Sequence, residues 1–144
     1  DCFMLKKRNR LALVISLVVL LLVGCTSTSS DVLSDKFDQK EVQKQAETAI
    51  ELFNNQDYQA LIQLFPEDLQ KEMSQDSFKK AFEKFVVDKG ELKEFGKTTM
   101  RNEKNTTGDG EVATTILPVE YQKGSLNYMI SINEQGELTN FLVK

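Results

Sequence analysis

The chain has 144 residues, a net charge of −4, 40% hydrophobic residues and no histidine. Without histidine the commonest general base and metal ligand are gone, which excludes Ser-His-Asp and Cys-His catalysis and ordinary zinc sites. An acidic balance repels phosphate backbones and anionic headgroups, so neither nucleic acid nor a membrane surface is bound by charge.

Lys6, Lys7, Arg8 and Arg10 form a positive cluster, and of the thirteen residues Leu11 to Val23 only Ser16 is polar. A permanent span needs about 20 apolar residues. A run this short, behind a basic cluster, has the form of a secretory signal. It ends in Leu22-Val23-Gly24-Cys25, which resembles the lipobox of bacterial lipoproteins. The resemblance implies that Leu22, Val23 and Gly24 are read by the signal peptidase. It implies further that Cys25 takes a diacylglyceryl group and becomes the new N-terminus. Two acyl chains hold a protein stably at a bilayer, whereas one holds it only reversibly. The competing reading is an ordinary N-terminal transmembrane anchor with an incidental cysteine. Met4 is expected to be the true start, with Asp1, Cys2 and Phe3 upstream of it.

The expected organisation is therefore a signal peptide over 1–24, a lipidated cysteine and flexible tether over 25–34, and one domain over 35–144. Cys25 to Lys144 is 120 residues with 14 Lys and Arg against 21 Asp and Glu, a net charge of −7. That length buries a core of its own. Cys25 is the only cysteine in it, so no intramolecular disulfide forms. Thr26 to Ser30 is a Ser/Thr run without periodicity, which makes it a tether.

From about Asp35 to Asn54, Val42, Ala46, Ala49, Ile50 and Phe53 recur at helical spacing. Asp38 and Glu41 have capping-box spacing, with Ser34 and Asp35 as alternative caps. Asn54 to Asp57 breaks the helix, and Asp57 caps a short second one carrying Tyr58, Leu61, Ile62 and Phe65 up to Pro66. Glu67 to Met73 offers a further turn. Ser74 caps a third helix with Phe78, Ala81, Phe82, Phe85 and Val86 on one face, stopped at Lys89-Gly90.

After Gly90 the period changes to two. Leu92 to Arg101 reads as a strand, Asn105 to Gly110 as a turn, and Glu111 to Gln122 as a second strand. On that strand Ala113, Thr115, Leu117, Val119 and Tyr121 share a face. Leu126, Tyr128, Ile130 and Ile132 then alternate with Asn127, Met129 and Ser131, and Leu138 to Val143 is the last strand. Hairpin-length connections make the sheet antiparallel. The fold class is α+β: three N-terminal helices packed on a curved antiparallel sheet of about four strands.

This order resembles the cone fold of nuclear transport factor 2-like proteins. Within it, Ala49, Phe53, Asn54 to Tyr58, Lys89-Gly90 and Ile130 to Gly136 resemble the domain of unknown function 3887, over roughly Phe37 to Val143. Members are often short lipoproteins of low-GC Gram-positive bacteria, and the family has no defined activity. A tryptophan is associated with its third helix; this chain has none, and Phe82 or Phe85 stands in its place.

Cone folds leave a pocket between helices and sheet, and the resemblance implies a lining of Tyr58, Phe82, Phe85, Tyr121 and Tyr128. The same aromatics equally suit a filled core. Enzymes of this fold place acids, bases and tyrosines in that pocket, and here Glu120 with Tyr121 or Tyr128 is the candidate pair. Glu120 is out of phase with Val119 and Tyr121, which suits a solvated strand charge. No catalytic residue, metal or cofactor is assigned. The Thr- and Asn-bearing sheet face is a candidate surface for a second copy. The sequence thus points to a lipid-anchored extracytoplasmic protein of the bacterial envelope with a non-enzymatic domain. Its candidate partners are the membrane through Cys25, a small apolar ligand, another envelope protein or a second copy. A pocket enzyme and a structural module that dimerises through its sheet are the alternatives.

Overall fold

Asp38 sets the start of the first helix. Its carboxylate accepts from the Lys40 and Glu41 amides at 2.9 and 3.3 Å, satisfying donors that a helix start leaves unpaired. The structure, a computed structural model, describes residues 33–144. Helix α1 is Gln39–Asn54, and its buried residues are Val42, Ala46, Ala49, Ile50 and Phe53, the stripe expected from spacing. It begins later than Asp35, because the cap that forms is Asp38.

Asp57 caps α2 (Tyr58–Ile62) by accepting from the Ala60 amide. The chain then tightens through Leu64 and Phe65 before Pro66, whose extended backbone opens α3 (Glu67–Gln70). Ser74 caps α4 (Gln75–Phe85), and a 3₁₀ turn over Val87–Lys89 ends at Gly90, where φ is 77°. Among the described residues the expected three helices are therefore four, because the turn after Pro66 is a short helix of its own.

The sheet has five antiparallel strands: β1 (Leu92–Phe95), β2 (Thr99–Lys104), β3 (Glu111–Tyr121), β4 (Gly124–Asn133) and β5 (Leu138–Val143). Both β1 and β2 lie along the same side of β3, so the single strand expected over Leu92 to Arg101 is divided. Pro118 explains the division. The Gly96 amide donates to the Pro118 carbonyl at 2.7 Å, so Pro118 turns its backbone toward that side. An amide would offer the neighbouring strand a donor there, and proline has none. The ladder fails at Lys97 and Thr98 and resumes at Thr99, which pairs with Ile116.

Ala113, Thr115, Leu117, Val119 and Tyr121 of β3 and Leu126, Tyr128, Ile130 and Ile132 of β4 are buried on the helix side, as their alternation predicts. The other face is drier than the Thr/Asn pattern suggested. Thr114 and Ser131 are buried there, with their hydroxyls 2.9 Å apart and Glu103 accepting from Thr114.

The segment before α1 is tied to one end of the sheet. Ser34 Oγ donates to Glu111 at 2.8 Å, and Lys36 Nζ stands 2.9 Å from Glu134. Hydrogen bonds from Ser34 and Asn102 hold the Glu111 carboxyl below its ordinary 4.5. A depressed carboxyl stabilises the folded form above its unfolded value, and that contribution is lost as pH falls through the folded one. Amide exchange at Ser34 and Phe37 should therefore accelerate as pH is lowered from about 5 to about 3, before the sheet opens. Glu111→Gln should remove this pH dependence. Hydrogen exchange corrected for intrinsic rates checks it, and a pH-independent wild type would refute the tie.

Candidate functional site

The last turn of α1 brings Phe53 and Asn54 onto the inner face of the sheet. Phe53 is fully buried, and its ring lies 5.2 Å from Phe141, 5.8 Å from Phe82, 6.1 Å from Tyr128, 6.3 Å from Tyr58 and 6.4 Å from Phe78. These are the separations at which aromatic rings attract edge to face or in tilted pairs. Of the residues assigned to the pocket lining, Tyr58, Phe82 and Tyr128 thus converge on one phenylalanine. Tyr58 also stacks on Phe78 with an interplanar angle of 12°. Phe85 stays half-buried at the margin, with the Lys84 ammonium 5.0 Å from its ring centre.

Tyr121 and Tyr128 reach the same place from β3 and β4, and their hydroxyls join Asn54 in a closed ring. Tyr121 Oη donates to Asn54 Oδ1 at 2.9 Å, and the two tyrosine oxygens are 2.5 Å apart. Asn54 Nδ2 donates to the Ile50 carbonyl at 2.8 Å and lies 3.5 Å from Tyr128 Oη. With Tyr128 donating to Tyr121, every hydrogen in the ring has an acceptor. Buried polar groups must be paired in this way.

Burial raises the pKa of Tyr121 and Tyr128 above the ordinary phenol value, and the hydrogen bond between them raises Tyr128 further. Burial also raises Tyr58, as does the charge of Glu83. All three phenols stay protonated at neutral pH, where none serves as a base. Glu120 is exposed and lies on the opposite face of β3 from Tyr121, so the candidate pair is not brought together. Among the described residues no group of three His, Cys, Asp or Glu side chains is placed to hold a metal.

Asn54, expected from the sequence only to break the helix, and Phe53, Phe78 and Phe141, absent from the expected lining, belong to this site. A signal was available for Asn54. It lies four residues after the buried Ile50 and so falls on the same helix face, where a polar group needs a partner across the interior.

Grooves open elsewhere on the domain. One of about 290 Å³ runs between β5 and the α3–α4 region. Two more, of about 220 and 290 Å³, lie on either side of Ile116 on the outer sheet face. Leu22, Val23, Gly24 and Cys25 lie outside the described residues, as do the basic cluster and the Ser/Thr tether. No helix among the described residues is long and apolar enough to cross a membrane.

Among the described residues, four helices ahead of a five-stranded antiparallel sheet, packed over an aromatic centre beside a closed ring of hydrogen bonds, define a small α+β domain. The family described as protein of unknown function (DUF3887) matches residues 46–141, and the chain belongs to that family. An NMR structure of a protein from Ruminococcus gnavus ATCC 29149 is similar, at 30% identity and a TM-score of 0.70. The match covers 78% of this chain and 96% of that one. No curated protein matches.

The ring and the lone phenol separate by mutation. Tyr128→Phe removes the hydroxyl that bonds Tyr121 and faces the Asn54 amide, keeps the Tyr121–Asn54 bond, and should cost about 1–2 kcal/mol in urea unfolding at pH 7. Tyr58 Oη is buried with no hydrogen-bond partner among the described residues, so Tyr58→Phe should be neutral or slightly stabilising. A phenol raised in the folded state stabilises below its unfolded value and loses that contribution as pH rises past it. The gap between wild type and Tyr128→Phe should therefore narrow above about pH 10. Equal costs for both variants would refute the assignment.

Proposed function

We propose that this protein is a lipid-anchored component of the bacterial envelope whose domain binds a partner without catalysis. The observation that carries the placement is Leu22-Val23-Gly24-Cys25 at the end of a thirteen-residue apolar run behind four basic residues. The order of helices and meander, closed over Phe53, supports assigning the domain to the cone-like, nuclear transport factor 2-like class. The mutually hydrogen-bonded Asn54–Tyr121–Tyr128 ring and the exposure of Glu120 support a non-enzymatic role. Binding then falls to the surface grooves, and candidate partners are a small apolar ligand or another envelope protein.

Fractionation of a Gram-positive host expressing the full chain tests the anchor. Wild type should enter the membrane fraction with a cysteine carrying two acyl chains, and Cys25→Ala should be released or left uncleaved. Unchanged membrane attachment of a cleaved Cys25→Ala protein would overturn the lipoprotein reading.

A second reading, dimerisation through the outer sheet face, is favoured by one cross-strand row. Thr99, Ile116, Met129 and Leu142 stand in register across four strands, and Leu142 is 47% exposed. Isolated exposed leucines are ordinary, but three aligned apolar side chains ending in a threonine and flanked by grooves suit a self-complementary contact. On this reading the full chain in detergent sediments as a dimer and Met129→Lys sediments as a monomer. A wild type that is monomeric at every concentration would exclude it.

A further inference from the structure

Among the described residues, strand β5 is at the edge of the sheet, paired with β4 on one side only. Asn127 and Lys144 exchange both backbone hydrogen bonds, at 3.0 and 2.9 Å, which fixes the phase of the ladder. Leu142 with Met129 and Asn140 with Ser131 are then the bonded pairs, while Phe141 and Val143 turn their N–H and C=O groups away from β4. At the start of the same edge the Leu138 amide donates to the Leu64 carbonyl at 2.9 Å. The edge thus already takes one backbone partner from outside the sheet.

Natural edges are usually blunted by charge or proline, and Leu138 to Val143 carries neither. The groove of about 290 Å³ opens beside it, where Phe65, Leu69, Met73 and Phe78 face Phe141. Glu72 lines the same groove, is exposed, and has no ion-pair partner among the described residues. Backbone donors and acceptors, an apolar slot and an unpaired carboxylate therefore lie together.

We propose that this edge binds an extended, cationic peptide segment of a partner protein by strand addition. The peptide backbone pairs with Phe141 and Val143, an apolar side chain enters between Phe65, Leu69, Met73 and Phe78, and a Lys or Arg meets Glu72. In such recognition, main-chain bonds supply affinity and alternate side chains supply selectivity. A second copy would have to bring its own β5 together with the Leu64–Met73 segment that flanks it. A peptide brings only a strand. The inference rests on reading the domain as a binding module and names the chemistry of its partner.

The test titrates the full chain in detergent with a blocked seven-residue peptide alternating Val and Thr, with Lys in place of one central Val. Amide exchange at Phe141 and Val143 should slow on addition of the peptide. Val143→Pro removes an outward donor without touching the β4 ladder, and should weaken binding about tenfold. Unchanged protection of the Tyr128 and Ile130 amides shows that this variant is folded. Glu72→Lys, on the surface, should weaken binding about fivefold, and the loss should shrink with added salt. Absence of binding overturns the proposal, as does binding that leaves the Phe141 and Val143 amides unchanged. Peptide-induced changes at Ile116, Met129 and Leu142 instead would keep the binding module and discard this groove. Protection of the β5 amides that grows with chain concentration, without peptide, would assign the edge to a second copy and also overturn it. Membrane fractionation of Cys25→Ala is unaffected by any of these outcomes.

Discussion

The packing of the last turn of α1 against the sheet is the constraint from which the rest follows. The Phe53 ring meets α2, α4, β4 and β5 together, through Tyr58, Phe78, Phe82, Tyr128 and Phe141. Truncating such a buried ring typically costs about 3–5 kcal/mol, a large share of a total stability of about 5–15 kcal/mol. Asn54, the next residue, adds orientation to that packing. Its amide holds Ile50 on its own helix and Tyr121 and Tyr128 on two strands, so α1 cannot rotate or slide without unpairing buried polar groups. Apolar contact supplies the energy here, and the polar ring sets the angle.

Much of the architecture was legible in the sequence wherever one periodicity dominated. The α1 stripe, the caps Asp38, Asp57 and Ser74, and the inward faces of β3 and β4 all follow from spacing and from residues that satisfy orphan amides. What escaped depended on a neighbour that was distant in sequence. Pro118 sits inside an otherwise regular strand and acts on the adjacent one, splitting Leu92–Arg101 into β1 and β2. Thr114 and Ser131 read as wet, yet each is the other's partner across β3 and β4. Asn54 read as a stop signal because its partners lie 67 and 74 residues away.

The candidate site divides in the same manner. Tyr58, Phe82, Tyr121 and Tyr128 were chosen as aromatics expected to face a shared interior, and the fold does bring them toward Phe53 and Asn54. Composition alone does not distinguish a lined cavity from a packed core, since the same rings serve both. The distinction lies in where the central ring goes, and here Phe53 takes the middle. Glu120 was separable from Tyr121 by phase alone, because adjacent strand residues face opposite ways.

A domain packed in this way has its paired phenols inside and open hydrogen-bonding groups along one edge outside. The phenols of Tyr121 and Tyr128 are held protonated by burial and bonded to one another. The backbone groups of Phe141 and Val143 and the carboxylate of Glu72, by contrast, face outward beside an apolar groove. Edge strands left this open are a hazard in a crowded compartment, since any extended chain can pair with them. The charged and proline guards common on other edges are absent from β5, although Pro118 shows that the chain tolerates proline within its sheet. An edge kept open at that risk is best understood as a surface with a use.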